Sequence, residues 1–124
     1  MSALIRDWGQ ANGLTAQPGA VAGGLSFTID RVRVHLVPLR GGETLVEARV
    51  LDLPSTPGER NGLLQKAMAV STARMAEVAV GPVVDQAASL LKLQTRVPAR
   101  ASTDELDKAV SVIVNEVEFW RGVL

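Results

Sequence analysis

Cysteine and tyrosine are absent from this sequence, histidine occurs once, and the aromatic side chains are two tryptophans and two phenylalanines. Without cysteine there can be no disulfide, no thiol nucleophile and no cysteine-held metal. The one histidine, His35, has no second imidazole with which to form a metal pair. It stands between Val34 and Leu36 in an alternating stretch, the setting of a polar-face strand residue rather than a catalyst. No G-x-S-x-G and no P-loop sequence occurs. Gly23-Gly24 and Gly41-Gly42 lack the strand-then-helix context of a phosphate loop and read as turns. The remaining carboxylates, serines, threonines and lysines form no constellation that spacing supports. The expectation is a protein without catalytic residues, cofactor or metal.

Charge of one sign is lacking too. Thirteen basic residues cancel thirteen acidic ones, with no basic run, so nothing points to nucleic acid. No apolar run approaches the ~20 residues of a membrane helix. The opening residues, Met1 to Trp8, include Arg6 and Asp7 and lack the apolar core of a signal peptide. The cytoplasm is the expected location, with no membrane partner.

What is present suffices for a core. The chain has 124 residues, 47% hydrophobic and 21% charged, which fits one domain spanning residues 1–124. The clearest element is the last, Ser102 to Leu124. Ser102 and Glu105 make an S-x-x-E capping box, and Asp104, Glu105 and Asp107 place negative charge at the positive end of the helix. Leu106, Ala109, Val110, Ile113, Val117, Trp120 and Leu124 then follow on one face. Val112, Phe119 and Val123 form a second apolar line beside it, either a wider buried face or a partner contact. Glu116 lies toward that side and reads as a rim charge.

Ahead of this helix, Leu4, Ile5, Trp8 and Ala11 make a short helical stripe that stops at Asn12-Gly13. Thr15 to Gly24 reads as a loop. Leu25 to Ile29, Val32 to Leu36 and Thr44 to Leu53 alternate as strands, joined by Asp30-Arg31 and Gly41-Gly42, with Pro38 at an end or edge. A second helix runs from about Glu59 to Met75. Leu64, Ala67, Met68, Ser71 and Met75 share one face, and the opposite face carries Ala69 and Ala73 where charge would be usual. Alanines four apart suit either close helix–helix approach or mere helix propensity. Ala76 to Val80 is expected as a fourth strand interrupted by Gly81-Pro82, Asp85 to Ala88 as a turn, and Ser89 to Val97 as a fifth strand. The order α-β-β-β-α-β-β-α predicts an α+β fold, an antiparallel sheet with helices packed on it.

The order of elements, Leu25 to Asp30 followed by Val32 to Leu36, the third strand into Leu53-Pro54, Leu63-Leu64-Gln65 and the closing Val117 to Arg121 resemble the class I chaperones of bacterial type III secretion systems, the CesT- and SycE-like proteins. The resemblance implies a cytoplasmic homodimer that uses no ATP. It would hold the extended N-terminal segment of a secreted effector, keep it soluble and secretion-competent, and deliver it to the export apparatus, whose ATPase is an implied partner. Apolar surface patches and strand addition at sheet edges would supply the contacts. The implied dimer interface is Met68, Ala69, Val70, Ala73, Val78 and Val80. The implied partner-binding positions are Leu4, Ile5, Trp8, Leu91 and Leu93, joined by Val112 and Phe119 of the last helix. On this reading Trp8→Ala weakens client binding more than folding. The alternative is a small regulatory or sensory module of the same shape that sequesters a folded partner.

Overall fold

The computed structural model describes residues 2–14, 22–85, 87 and 89–124. Three helices and five strands follow one another as α1 (Ala3–Ala11), β1 (Leu25–Ile29), β2 (Val32–Pro38), β3 (Thr44–Asp52), α2 (Pro57–Arg74), β4 (Gly81–Val84), β5 (Leu90–Val97) and α3 (Thr103–Val123). Most of the loop expected over Thr15 to Gly24 lies outside the described residues. The strands form one antiparallel sheet in the order β1-β2-β3-β5-β4, which leaves β1 and β4 as its edges.

Alternation decides which face is buried. Leu25 and Phe27 of β1, Val34 and Leu36 of β2, Val46 and Ala48 of β3 and Leu91 and Leu93 of β5 all point inward. α3 lies on this face and buries Leu106, Val110, Ile113, Val114, Val117 and Trp120 against it. Each large apolar side chain so removed from water contributes ~1.5–3 kcal/mol in gross terms. The capping box forms as expected, the Ser102 hydroxyl accepting from the Glu105 N–H at 3.2 Å and the Glu105 carboxylate from the Ser102 N–H at 3.4 Å. The far end is pinned by Arg121. Its guanidinium donates to the carbonyls of Val50, Arg49 and Arg31 at 2.6, 3.1 and 3.0 Å. Two of these carbonyls belong to the stretch where the β3–β5 register shifts between Arg49 and Leu51. A bulge disturbs the ladder there, and an arginine fork supplies donors.

α1 packs against α3 and the start of β1. Gly9 sits where a methyl group would meet the Leu25 side chain at 3.1 Å and the Leu14 carbonyl at 3.3 Å. The lost helix propensity therefore allows close approach.

The β1–β2 hairpin turns on Asp30 and Arg31, both at positive φ (48° and 66°). This is the hairpin geometry that Asn-Gly favours, held here by Asp30, which tolerates it, and Arg31, which resists it. Asp30→Asn with Arg31→Gly is expected to raise stability by ~1 kcal/mol, measured by urea denaturation. No gain would mean that the turn's side chains make compensating contacts.

The fourth strand departs from expectation. Ala76–Val80 is not a strand, and Gly81-Pro82 opens β4 instead of interrupting one. After α2 the chain makes a turn closed by Arg74, whose carbonyl accepts from the N–H groups of Glu77 and Val78. Residues 78–80 then run beside β5 with Ala79 held by the Thr95 hydroxyl at 2.8 Å. Regular pairing begins at Gly81–Gln94. Pro82, which has no N–H to donate, is accommodated because β4 is an edge. Pro38, by contrast, is the last residue of an interior strand. The β4–β5 connection is closed by Asp85, which accepts from the Ser89 N–H, the Ser89 hydroxyl and the Leu90 N–H at 2.7, 2.7 and 2.9 Å.

Candidate interaction surface

α2 is the anomaly of this fold. It has 18 residues but buries only Ala67 fully. A helix of that length gains most of its stability from an apolar face packed on something else. Here the line turned toward the protein is Leu63, Ala67, Val70 and Arg74, at helical spacing. Met68, and Met75 at its C-cap, read from the sequence as part of the face carrying Leu64 and Ala67, are instead exposed apolar side chains, at 70% and 69%. Rotation by about one residue around the helix separates the two readings, and alanine-rich sequence does not resolve it.

A polar clamp adds to the packing of Leu63, Leu64, Ala67 and Val70 on the core. The Arg74 guanidinium donates from Nε and Nη2 to the two carboxylate oxygens of Glu116 on α3, at 2.9 Å each. Its plane lies over the Phe119 ring, 4.5 Å from the centroid, a favourable cation–π placement. A further bond joins Arg74 to Glu77 at 3.1 Å. Glu116 is 4% exposed and also accepts from the Trp120 indole N–H at 3.2 Å. The rim position expected for this carboxylate is thus corrected to a buried one. The Arg74 hydrogen bonds hold its carboxyl below the usual range, against the opposing effect of burial. The same bonds raise Arg74 above its ordinary value.

Beside this clamp, Ala69, Val70, Ala73, Phe119 and Val123 line a shallow, almost wholly apolar groove between α2 and α3. Val112, Phe119 and Val123 are 42%, 41% and 45% exposed. The second apolar line of α3 is therefore not a wider buried face. Met68, Ala69 and Ala73 of α2 and Met75 at its C-cap are exposed as well. Val70, Val78 and Val80 are half-buried, Val70 and Val80 packing against the core.

The other expected partner-binding residues separate. Ile5, Trp8, Leu91 and Leu93 are at most 2% exposed and belong to the core, so they present no surface to a partner. Trp8 packs on Phe27 with ring centroids 5.0 Å apart, and its indole N–H donates to Asp107 at 3.2 Å. Leu91 and Leu93 alternate inward beneath α3. Leu4 remains half-buried, at the side of a depression it shares with residues 99–103. The reason is general: a short amphipathic stripe looks the same whether it meets a client or its own sheet.

Ser26 and His35 share a 2.7 Å hydrogen bond, but Ser26 is 4% exposed and no carboxylate hydrogen-bonds His35 among the described residues. Burial pushes His35 below its ordinary pKa. Among the described residues no group of three or more His, Cys, Asp or Glu side chains could hold a metal, and no helix is long and apolar enough to cross a membrane.

Three solved structures share this architecture. A chain of the HopA1–SchA chaperone–effector complex superposes with a TM-score of 0.68 at 16% identity, covering 96% of this chain and 91% of the other. A chain of the ExsC–ExsE complex gives 0.74 at 18% identity, covering 98% and 90%. A chain from the complex of the Yersinia pestis type III secretion chaperone SycH with a stable fragment of YscM2 gives 0.62 at 17% identity, covering 96% and 98%. No curated protein matches the sequence significantly. The model of the Tir chaperone protein (CesT) family matches residues 3–121, nearly the whole chain, and the protein belongs to that family.

Proposed function

We propose that the protein is a homodimeric chaperone of the bacterial cytoplasm that binds the extended N-terminal segment of a type III secreted effector. It keeps that segment soluble and hands it to the export apparatus, whose ATPase is the natural receiver. Family membership and the fold shared with chaperones found in complexes support the chaperone role. The observation that carries the dimer is α2, a long helix whose outward face is Met68, Ala69, Ala73 and Met75 and whose groove continues onto Phe119 and Val123. A second copy of the same face would supply the burial that α2 lacks, with alanines four apart letting the backbones approach. β1, at one end of the sheet, is the strand a client segment would pair with.

The test is co-expression with tagged N-terminal fragments of secreted proteins encoded nearby, followed by light scattering. The expected complex contains two copies of this chain and one fragment. Ala69→Arg with Ala73→Arg should give monomers that keep their sheet and helix signals by circular dichroism. A double variant that still scatters as a dimer would move the interface elsewhere. A chain that ignores every fragment and elutes with a folded regulator would replace the chaperone reading.

A further inference from the structure

The face of the sheet opposite α3 carries an arrangement that folding alone does not favour. Antiparallel register pairs Thr28 with Arg33, places Arg49 opposite Arg33 one step past the Val34–Ala48 pair, and pairs Arg49 with Lys92. Three cations thus stand in one row across the three interior strands. Neighbouring strands are ~4.8 Å apart, and like charges directly opposite one another are destabilising.

Compensation is incomplete. Glu47, in the next row, is 3.1 Å from Lys92 and accepts from Gln94 at 2.6 Å. Arg96 is 3.8 Å from Glu43. Arg33 reaches only the Thr28 hydroxyl, at 3.4 Å, and Arg49 is exposed without an ion pair among the described residues. The whole chain is neutral, so this face is basic by segregation of charge and not by general excess.

We infer that this outer sheet face is a docking surface for an acidic, extended polypeptide segment, seated across Arg33, Arg49 and Lys92. The inference rests on the chaperone reading for the segment's source, which is the client. Carboxylates on alternate residues of a strand recur every ~6.6 Å, a spacing that lets one segment engage more than one cation of the row. Nucleic acid fits less well. Glu43 and Glu47 share the face, and its one aromatic ring, the half-buried His35 imidazole opposite Glu47, is engaged by Ser26 and offers no run of stacking platforms.

The test uses a fluorescein-labelled oligoglutamate of about 15 residues, long enough to cross the sheet when extended. Fluorescence anisotropy should show binding at low salt that weakens as salt rises. Arg33→Gln with Arg49→Gln should weaken it by roughly tenfold or more, equivalent to ~1.4 kcal/mol. The control Arg6→Gln with Arg100→Gln, the same change in net charge on other surfaces, should leave it intact. The Arg33/Arg49 variant should melt no lower than the wild type, because opposed like charges are removed. Equal affinity for all three proteins would overturn the inference, as would tighter, equally arginine-dependent binding of a single-stranded oligonucleotide. A client fragment that binds the wild type while oligoglutamate binding ignores these arginines leaves the chaperone reading standing and sinks this one. Arginine-dependent oligoglutamate binding without any client does the reverse.

Discussion

Replacing Arg74 by methionine is expected to unseat α2 and lower the melting temperature by roughly 10–20 °C. The residue removed is the cation for both oxygens of Glu116, and Glu116 stays behind at 4% exposure with only the Trp120 N–H. Leaving a buried carboxylate without its cation costs ~3–5 kcal/mol. The pH dependence identifies the cause. In the wild type the Glu116 carboxyl is held low by Arg74 above all. Its contribution is therefore complete above the ordinary glutamate pKa of ~4.3 and is lost as pH falls through the lower, folded-state value. Without Arg74, burial is the dominant influence and pushes the carboxyl upward. The variant should then gain stability on acidification toward the ordinary glutamate pKa, while the wild type does not. Melting curves from neutral to acid pH check both halves. Parallel curves for the two proteins would mean that the clamp is incidental to how α2 is held. Arg74 also borders the apolar groove, so on the proposed dimer the variant should dissociate at higher concentration than the wild type.

Trp8→Ala is expected to destabilise the monomer by ~3–5 kcal/mol. Trp8 is 2% exposed, packs in tilted contact with Phe27 and ties α1 to Asp107 of α3, so its removal opens a cavity and loosens α1 from α3. Trp8→Phe should recover part of the loss, since it keeps an aromatic contact with Phe27 and gives up only the indole N–H and some volume. The outcome separates a core residue from a client anchor. A core residue lowers the urea midpoint and leaves the affinity of the folded protein for its client unchanged. A variant that melts like the wild type but binds client weakly would restore Trp8 to the binding surface.

Periodicity located nearly every element. The capping box of α3, the strand alternation of β2, β3 and β5 and the stop of α1 at Asn12 all rest on local signals, and they stand in the structure as read, whereas in β1 Ser26 is buried along with Leu25 and Phe27. The fourth strand failed because its limits come from pairing with β5. Ala76–Val80 has strand-like residues but no regular ladder partner, whereas Gly81-Pro82 has poor strand residues and a partner. For the proposed interaction surface, the sequence identified Ala69, Ala73, Val112 and Phe119 as unexplained apolar positions, and all four are exposed. It misplaced Ile5, Trp8, Leu91 and Leu93, which the sheet and α3 cover.

The sequence by itself determined the α+β element order, the family resemblance and the poverty of catalytic groups, because each depends on residue identity and near-neighbour spacing. Only the tertiary structure decided which way α2 faces, that Glu116 is buried beneath Arg74, and that Arg33, Arg49 and Lys92 share a row. Arg74 and Glu116 are 42 residues apart, and the cationic row draws on three strands joined only by register. Such meetings are set by how elements pack and pair, and nothing in the local pattern of hydrophobic and polar residues encodes them.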